Sequence, residues 1–298
     1  MPVLDELQEQ VQGAARNVGP AVVGIGTRRG VGSGVVLAEG KVLTNAHNVR
    51  GEEVTVTFAD GREAPGAPAG VDVDGDVAVL AVDTGNVSPI EWAGAAAPEP
   101  GAPVFALSNP GGRGLRVTFG LVSGIERSFR GPRGRRITGS IEHTAPLLPG
   151  SSGGPVVDRD GKLLGVNTNR LGEGFYLAIP ADDSLRTRVD SLARGESPRR
   201  RRLGVGVAPS HVARGLRRAV GLPDADGLLV RQVEESSPAA NAGMQEGDLI
   251  TEVGGRSVGD FDALSEALEA DSSATVNIRI LRGTEEQTLS VSFPKEGS

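Results

Sequence analysis

The chain has 298 residues, of which 38% are hydrophobic, 23% charged and only 3% aromatic. This length corresponds to about two domains, and the composition is that of a soluble globular protein. The formal net charge of −7 and the absence of cysteine argue against nucleic-acid binding, a disulfide scaffold and cysteine-based metal sites. With 44 glycines and 19 prolines, turns are frequent, which favours a mainly β fold.

The first predicted element is an amphipathic helix. Apolar residues recur at helical spacing from Leu4 to Val18, and Gly19-Pro20 then ends the pattern. Short segments rich in valine and isoleucine follow, separated by Gly, Pro, Asp or Asn. They predict strands at 21–27, 34–37, 54–58, 77–82, 104–107, 115–125, 137–144, 162–167 and 175–179. So many short strands in succession favour a barrel or sandwich over a βαβ fold.

The C-terminal third predicts a second, smaller body. A helix at 181–192 precedes four consecutive arginines, 199–202, which are interpreted as a solvated tether or, alternatively, as an attractor for an acidic ligand. Beyond them, strands are predicted at 203–208, 227–233, 249–253, 275–281 and 287–293, with helices at 210–220 and 260–270. The predicted division is a helix at 1–18, a first domain at 19–195, a linker at 196–202 and a small α+β domain at 203–294.

The most informative segment is the glycine-rich loop around Ser152. A serine hydroxyl needs a base to accept its proton and a carboxylate to orient that base. His47 follows the apolar residues 42–43, and Asp76 opens the apolar run 77–80. Each of these residues alone is a weak signal, but together they predict a catalytic triad in the chain order His47, Asp76, Ser152.

Two alternatives compete with a triad protease. Residues 150–154 also satisfy the Gly-x-Ser-x-Gly elbow of α/β hydrolases, with His211 downstream. That elbow needs a helix after the serine, whereas 155–161 predict a strand and a turn. The other alternative is an inactive protease fold that serves as a peptide-binding scaffold or chaperone.

The three segments resemble the chymotrypsin-type double β-barrel, and in detail its bacterial branch, the HtrA (high-temperature-requirement A) proteases. The matching motifs are 32–36, 42–47, 76–80, 150–155, 164–168 and 178–180. The resemblance covers about residues 1–195 and implies that the mainly β first domain is a chymotrypsin-like double β-barrel protease domain.

The resemblance also implies roles for individual residues. Ser152 is the expected nucleophile, His47 the base and then the acid, and Asp76 the group that holds the imidazole. Backbone N–H groups of Gly150 and Ser152 form the expected oxyanion hole. The expected substrate pocket comprises Pro146, Leu147, Leu148, Asn167 and Tyr176. Because Pro146 stands where trypsin-type enzymes hold an acid, small or medium apolar P1 side chains are expected.

Several positions depart from the HtrA pattern. Ser151 replaces an Asn, Thr144 replaces an Asp, and residues 169–173 form a short connection where many relatives have a longer loop. Tyr176 stands where a Gly is common, and its ring is expected either to narrow the pocket or to face solvent. These departures put regulation by loop ordering in doubt.

The C-terminal segment is similar to a bacterial PDZ domain through residues 203–207, 236–244, 246–250 and the helix after Asp260. This resemblance implies that an extended peptide adds beside the first strand, with its carboxylate on backbone N–H groups. The candidate peptide-binding residues are Arg202, Leu203, Gly204, Val205 and Leu264. The alternative is a domain that only packs against the protease.

The sequence thus predicts a serine endopeptidase for unfolded or damaged proteins, with no metal or organic cofactor and no nucleic-acid partner. The resemblance implies a possible homotrimer, for which residues 3–18 are the candidate interface; the alternative is that this helix packs against its own barrel. No apolar run approaches the roughly 18 residues of a membrane helix. The location expected for the chain as written is cytoplasmic, or periplasmic or secreted if a leader was removed.

Overall fold

The computed structural model of the protein describes residues 2–27, 30–94, 97–131, 136–170, 172–196, 201–271 and 273–293. The chain divides into two compact units, Met1–Pro198 and Arg199–Ser298. The predicted linker straddles this division, and its residues 197–200 lie outside the described residues. Unit one begins with helix α1 (Pro2–Val18), whose Ala14 and Val18 are buried in the barrel core. Within the described ranges, no helix is long and apolar enough to cross a membrane.

Six strands of unit one close into a first barrel in the order β1-β2-β3-β6-β5-β4. They are β1 (Val22–Thr27), β2 (Gly30–Ala38), β3 (Lys41–Thr44), β4 (Val54–Thr57), β5 (Glu63–Asp72) and β6 (Val77–Ala81). Val22, Val35 and Val42 on these strands are fully buried. Burial of these side chains and closure of the sheet together stabilise the barrel, because closure leaves no unpaired edge.

Strand β5 is absent from the sequence prediction. Its residues include Pro65 and Pro68, which lack the N–H that a sheet ladder uses and therefore suggest a turn. In the structure Pro65 pairs with Thr55 of β4 and Pro68 with Leu80 of β6, and the register shifts after Pro68. Pairing on both sides overrides the local preference.

Six further strands close a second barrel in the order β10-β11-β12-β9-β8-β7. They are β7 (Pro103–Ser108), β8 (Arg116–Arg130), β9 (Arg136–His143), β10 (Pro155–Val157), β11 (Leu163–Arg170) and β12 (Tyr176–Pro180). Helix α2 (Asp183–Ala193) follows, with the Asp182 carboxylate accepting from Leu185 N at 2.8 Å as its N-cap. The buried face of α2 packs into a core that both barrels share. The predicted double-barrel fold is confirmed.

Unit two is the predicted small α+β domain. Its elements are β13 (Val205–Ala208), α3 (Ser210–Ala219), β14 (Leu228–Val233), α4 (Pro238–Asn241), β15 (Leu249–Val253), β16 (Arg256–Ser257), α5 (Phe261–Ala270), β17 (Thr275–Arg282) and β18 (Glu285–Ser292). The main sheet runs β13-β14-β15-β17-β18, so β13 is an edge strand. The sequence prediction lacks the one-turn α4 and the two-residue β16, which are too short to show a hydrophobic period.

A polar set lies in the interior of the second barrel. His143 and Asn167 are fully buried, and Tyr176 is 8% exposed. His143 Nε2 lies 2.9 Å from Asn167 Oδ1, and the His143 and Tyr176 rings stack with centroids 5.9 Å apart. The Asn167 amide nitrogen donates to Gly154 O at 3.1 Å, so its oxygen faces the imidazole and Nε2 carries the proton.

Burial sets the protonation of this imidazole. Desolvation lowers the pKa of His143 to about 4, and the hydrogen bond with Asn167 offsets this only in part. Its Nδ1 is buried without a hydrogen-bond partner among the described residues. An imidazole in the unfolded chain takes up a proton near pH 6.5, whereas the folded protein resists protonation down to about pH 4.

We therefore expect the unfolding free energy of unit one to decline as the pH falls from 6.5 towards 4, because only the unfolded chain binds the proton in this window. His143 contributes about 3 kcal/mol to this decline, from about 1.4 kcal/mol per pKa unit. Urea unfolding followed by fluorescence of Trp92, the only tryptophan, isolates unit one. His143→Gln is expected to flatten the slope, whereas the exposed His211→Asn is expected to leave it unchanged. A slope that His143→Gln does not alter contradicts the assignment.

Candidate active site

The carboxylate of Asp76 is 2% exposed and organises the site. His47 Nδ1 lies 2.9 Å from its Oδ1 and 3.0 Å from its Oδ2, and the His47 backbone N–H donates to Oδ1 at 3.2 Å. His47 lies in the 3-10 helix Ala46–Asn48, directly after β3. Because Nδ1 faces the carboxylate, it carries the proton, and Nε2 is left with the free lone pair that a general base needs.

The turn before β6 aims Asp76 inward. Asp76 has a φ of 54°, a conformation uncommon for residues other than glycine, which costs about 1–3 kcal/mol. The Asn45 side chain donates to Asp76 O at 2.9 Å, and Gly75 N donates to Asp72 Oδ1 at 3.0 Å. These bonds hold the backbone in the strained conformation.

Thr168 on β11 connects Asp76 to Ser152. Its hydroxyl donates to Asp76 Oδ2 at 2.6 Å, and its backbone carbonyl accepts from Ser152 Oγ at 3.0 Å. Within the described part of the chain, no hydrogen bond joins His47 to Ser152. The Ser152 hydroxyl is therefore in a resting orientation and has to turn from Thr168 O towards the imidazole before it can act as a nucleophile.

Residues 149–154, here called the nucleophile loop, present Ser152 between β9 and β10. Gly153 N donates to Asn167 O at 2.7 Å, and the Ser151 hydroxyl donates to Ser108 Oγ at 3.1 Å. Gly150 has a φ of 87°. The backbone N–H groups of Gly150 and Ser152 have no acceptor among the described residues. Unpaired amides flanking a nucleophile are what an oxyanion hole requires.

The expected pocket residues divide into two groups. Pro146 and Leu148 are exposed, and Leu147 is half-buried beside the core of the second barrel. Asn167 instead has no exposed surface, and both ends of its amide are bonded within the second barrel, so its contact with substrate stays a prediction. The Tyr176 ring is buried against His143, which excludes the expectation that it faces solvent.

Thr144, another departure from the HtrA pattern, makes a hydrogen bond to the neighbouring strand. Thr144 Oγ1 accepts from Leu121 N at 3.0 Å, a bond that joins the residue after β9 to β8. The α/β-hydrolase alternative fails because Ser152 precedes strand β10 rather than a helix, and His211 lies in unit two.

Among the described residues, no three His, Asp or Glu side chains come together as metal ligands.

Two polar contributors were missed at the sequence level. Thr168 belongs to a matched motif, but its hydroxyl could be assigned to Asp76 only once β11 was placed beside the triad. His143 occurs in an otherwise ordinary strand pattern, and its partner Asn167 is distant in sequence. Neither position carried a local signal, because Thr168 falls just beyond the predicted strand 162–167 and His143 is one of several polar residues in the predicted strand 137–144.

Four of the five candidate peptide-binding residues of unit two lie at or just before the start of β13, and Leu264 lies on α5. Leu203 is 3% exposed, Gly204 has a φ of 76°, and Val205 is half-buried. Leu203, Val205 and the buried Leu264 of α5 belong to one apolar cluster. Arg202 pairs with Glu234 at 3.1 Å on the surface.

Comparison with known proteins identifies both units. The trypsin-like peptidase domain family matches residues 32–166, and the PDZ domain family matches residues 229–282. The putative serine protease HhoB of Synechocystis sp. is 34% identical over 286 residues, covering 90% of this chain and 68% of that protein. A probable periplasmic serine endoprotease, DegP-like, of Halomonas elongata is 34% identical over 272 residues and 89% of this chain, which spans 56% of that relative's length.

Among solved structures, the HtrA-type protease AlgW with a decapeptide superposes with a TM-score of 0.72 at 25% identity, covering 96% of this chain and 99% of that one. The two matched families follow one another along the chain in the order of the two units. The chain belongs to the HtrA family of serine proteases, with a trypsin-like protease domain followed by a PDZ domain.

Proposed function

We propose that this serine protease is an endopeptidase for unfolded or damaged proteins and that Ser152, His47 and Asp76 are its triad. The observation that supports this assignment most strongly is the His47 imidazole on the buried Asp76 carboxylate, with Thr168 joining that carboxylate to Ser152. These atoms belong to three segments distant in sequence, and their convergence supplies a base beside a hydroxyl nucleophile.

In the proposed reaction, Ser152 rotates away from Thr168 O and its Oγ attacks the scissile carbonyl carbon, while His47 Nε2 accepts the hydroxyl proton. The N–H groups of Gly150 and Ser152 bind the oxyanion, a contribution of about 2.7–4 kcal/mol per donor. His47 then donates its proton to the leaving amine, which leaves an acyl-enzyme. Water attacks the acyl-enzyme as His47 accepts the water proton, and return of that proton to Oγ releases the acid product and regenerates Ser152.

The PDZ unit is proposed to bind peptide C-termini along β13. β13 pairs on one side with β14 and is the edge of the sheet, so its other side is open to a further strand. In the described chain, the N–H groups of Leu203 and Gly204 have no acceptor, which suits them to a carboxylate. The apolar cluster around Leu264 suits an apolar C-terminal side chain.

A periplasmic or secreted location and self-association complete the proposal. The Halomonas elongata relative is named a probable periplasmic protease, which supports a location outside the cytoplasm. Self-association is supported by the start of α1, where Val3 and Leu4 are 75% and 57% exposed. Apolar side chains exposed on one helix are suited to burial against other copies of the chain.

The protease assignment predicts cleavage of unfolded casein that Ser152→Ala reduces at least about a thousandfold. Gly150→Val is expected to remain folded and lose about 100- to 1000-fold in kcat, because a β-branched residue resists a positive φ and misdirects the oxyanion donor. Casein cleavage is measured by fluorescence release and folding by circular dichroism. Wild type no faster than Ser152→Ala leaves only the scaffold function.

The PDZ assignment predicts that a fluorescent decapeptide ending in leucine binds more tightly with a free carboxylate than with a C-terminal amide. We expect at least about a tenfold difference in Kd, since the amide loses the charge that the backbone donors stabilise. Anisotropy on Ser152→Ala protein, which avoids cleavage, measures both. Arg202→Ala is expected to weaken binding only slightly because its guanidinium is exposed and paired with Glu234. Equal Kd values for the two peptides contradict carboxylate capture.

The oligomer proposal predicts a light-scattering mass of three times the 30.6 kDa chain at micromolar concentration. Replacing Val3 and Leu4 together by Ser is expected to shift the protein to monomer by removing the apolar contact. Val220→Ser is the matched control, since Val220 is 71% exposed but lies in unit two. A monomeric wild type excludes the trimer.

A further inference from the structure

The nucleophile loop is held by the first barrel at two carbonyl groups. Gly150 O accepts from Ser33 Oγ at 2.8 Å, and Ser152 O accepts from Ser33 N at 2.9 Å. The same Ser152 carbonyl accepts a second bond, from Asn48 Nδ2, at 2.9 Å. The backbone on both sides of the attacking residue is therefore anchored to the barrel that carries His47.

Asn48 is the residue immediately after His47, and its amide nitrogen uses both of its protons. One bonds the Ser152 carbonyl, and the other bonds Thr44 Oγ1 at 3.0 Å. The Thr44 hydroxyl in turn donates to Ser33 O at 2.7 Å, which fixes it as an acceptor towards Asn48. Asn48 is only 9% exposed, so these bonds are shielded from competition with water.

The backbone approaches Asn48 too closely for other side chains. A Cβ on Gly32 would lie 2.4 Å from Asn48 Cγ. A Cβ on Gly153 would lie 2.0 Å from Ser33 O and 3.1 Å from Asn48 Nδ2. The glycines on either side let the Asn48 amide fill the space between the two barrels, so its position is defined by packing as well as by hydrogen bonds.

We infer that Asn48 is a positioning residue that sets the distance and orientation of Ser152 relative to His47. Asn48 directly follows His47 in the chain, and its side chain donates a hydrogen bond to the backbone carbonyl of Ser152. The bond from Asn48 to the Ser152 carbonyl restrains ψ of Ser152. Together with the bond from Ser33 to Gly150 O, it restrains the backbone between the two oxyanion donors. The inference rests on the proposed function and adds to it a residue outside the triad.

The test is Asn48→Leu, which keeps the approximate shape of the side chain and removes both donated bonds. We expect kcat on a fluorogenic casein peptide to fall about 10- to 100-fold with KM changed less than about twofold, because misplacement of a reacting group by about 1 Å has effects of this size. The rate constant for inactivation by a peptidyl phosphonate, which reacts at the serine, is expected to fall in parallel. The pH dependence of kcat is expected to keep its shape, since the His47–Asp76 bonds are untouched.

A purely structural role predicts a different result. It lowers the unfolding free energy followed by Trp92 fluorescence, but leaves kcat of the folded fraction unchanged. Asn277→Leu, a change of an exposed asparagine in unit two, is the matched control and is expected to leave kcat, KM and the phosphonate rate at wild-type values. If Asn48→Leu does not fold, kcat, KM and the phosphonate rate are measured on Asn48→Ser, which has a smaller side chain.

A folded Asn48 variant with kcat and phosphonate rate within about twofold of wild type overturns the inference. Wild-type protein that neither cleaves casein nor reacts with the phosphonate gives a distinguishable result. That outcome removes the proposed triad itself, and the positioning role with it.

Discussion

The buried carboxylate of Asp76 is the interaction on which the rest of the site depends. A charge removed from water is tolerated only when donors surround it, and here His47 supplies two N–H groups and Thr168 a hydroxyl. These donors come from both barrels. The hydrogen bonds to this one carboxylate therefore orient the imidazole. They also fix β11, whose Thr168 carbonyl accepts the hydrogen bond from Ser152.

Division of the site between two barrels explains why so many polar side chains lie at their junction. The first barrel carries His47 and Asp76, whereas the second carries Ser152, so relative movement of the two would separate base and nucleophile. Ser33 of the first barrel donates a hydrogen bond to Gly150 O in the nucleophile loop, and Thr44 donates to the Ser33 carbonyl. A rigid junction of this kind favours catalysis because the Ser152 hydroxyl has only to turn within a fixed framework before attack.

The sequence allowed the double barrel, the PDZ unit and the convergence of His47 with Asp76 to be predicted, because each is encoded in local motifs. Strand β5 could not be predicted, since its prolines suit a turn and only pairing with two neighbours makes it a strand. The polar partners Thr168 and Asn48 were missed for a related reason. Their roles depend on which carboxylate or carbonyl the fold brings near, and no local periodicity records that.

Burial of two expected pocket residues could likewise not be predicted from the sequence. Asn167 and Tyr176 were placed there by position in a motif, but burial depends on the volume of the neighbours. His143 occupies that volume, bonding Asn167 and stacking on Tyr176. A motif specifies where the backbone runs, whereas the accessible surface is decided by the side chains that compete for the same interior space.

The open side of β13 carries a further implication for solubility. An edge strand that accepts a peptide from another molecule is equally able to accept the same strand from a second copy, the first step of sheet-to-sheet aggregation. Four arginines, 199–202, immediately precede this edge in the sequence. Like charges brought together in such a pairing repel one another, so a basic run at this place in the sequence is expected to disfavour self-pairing of the edge.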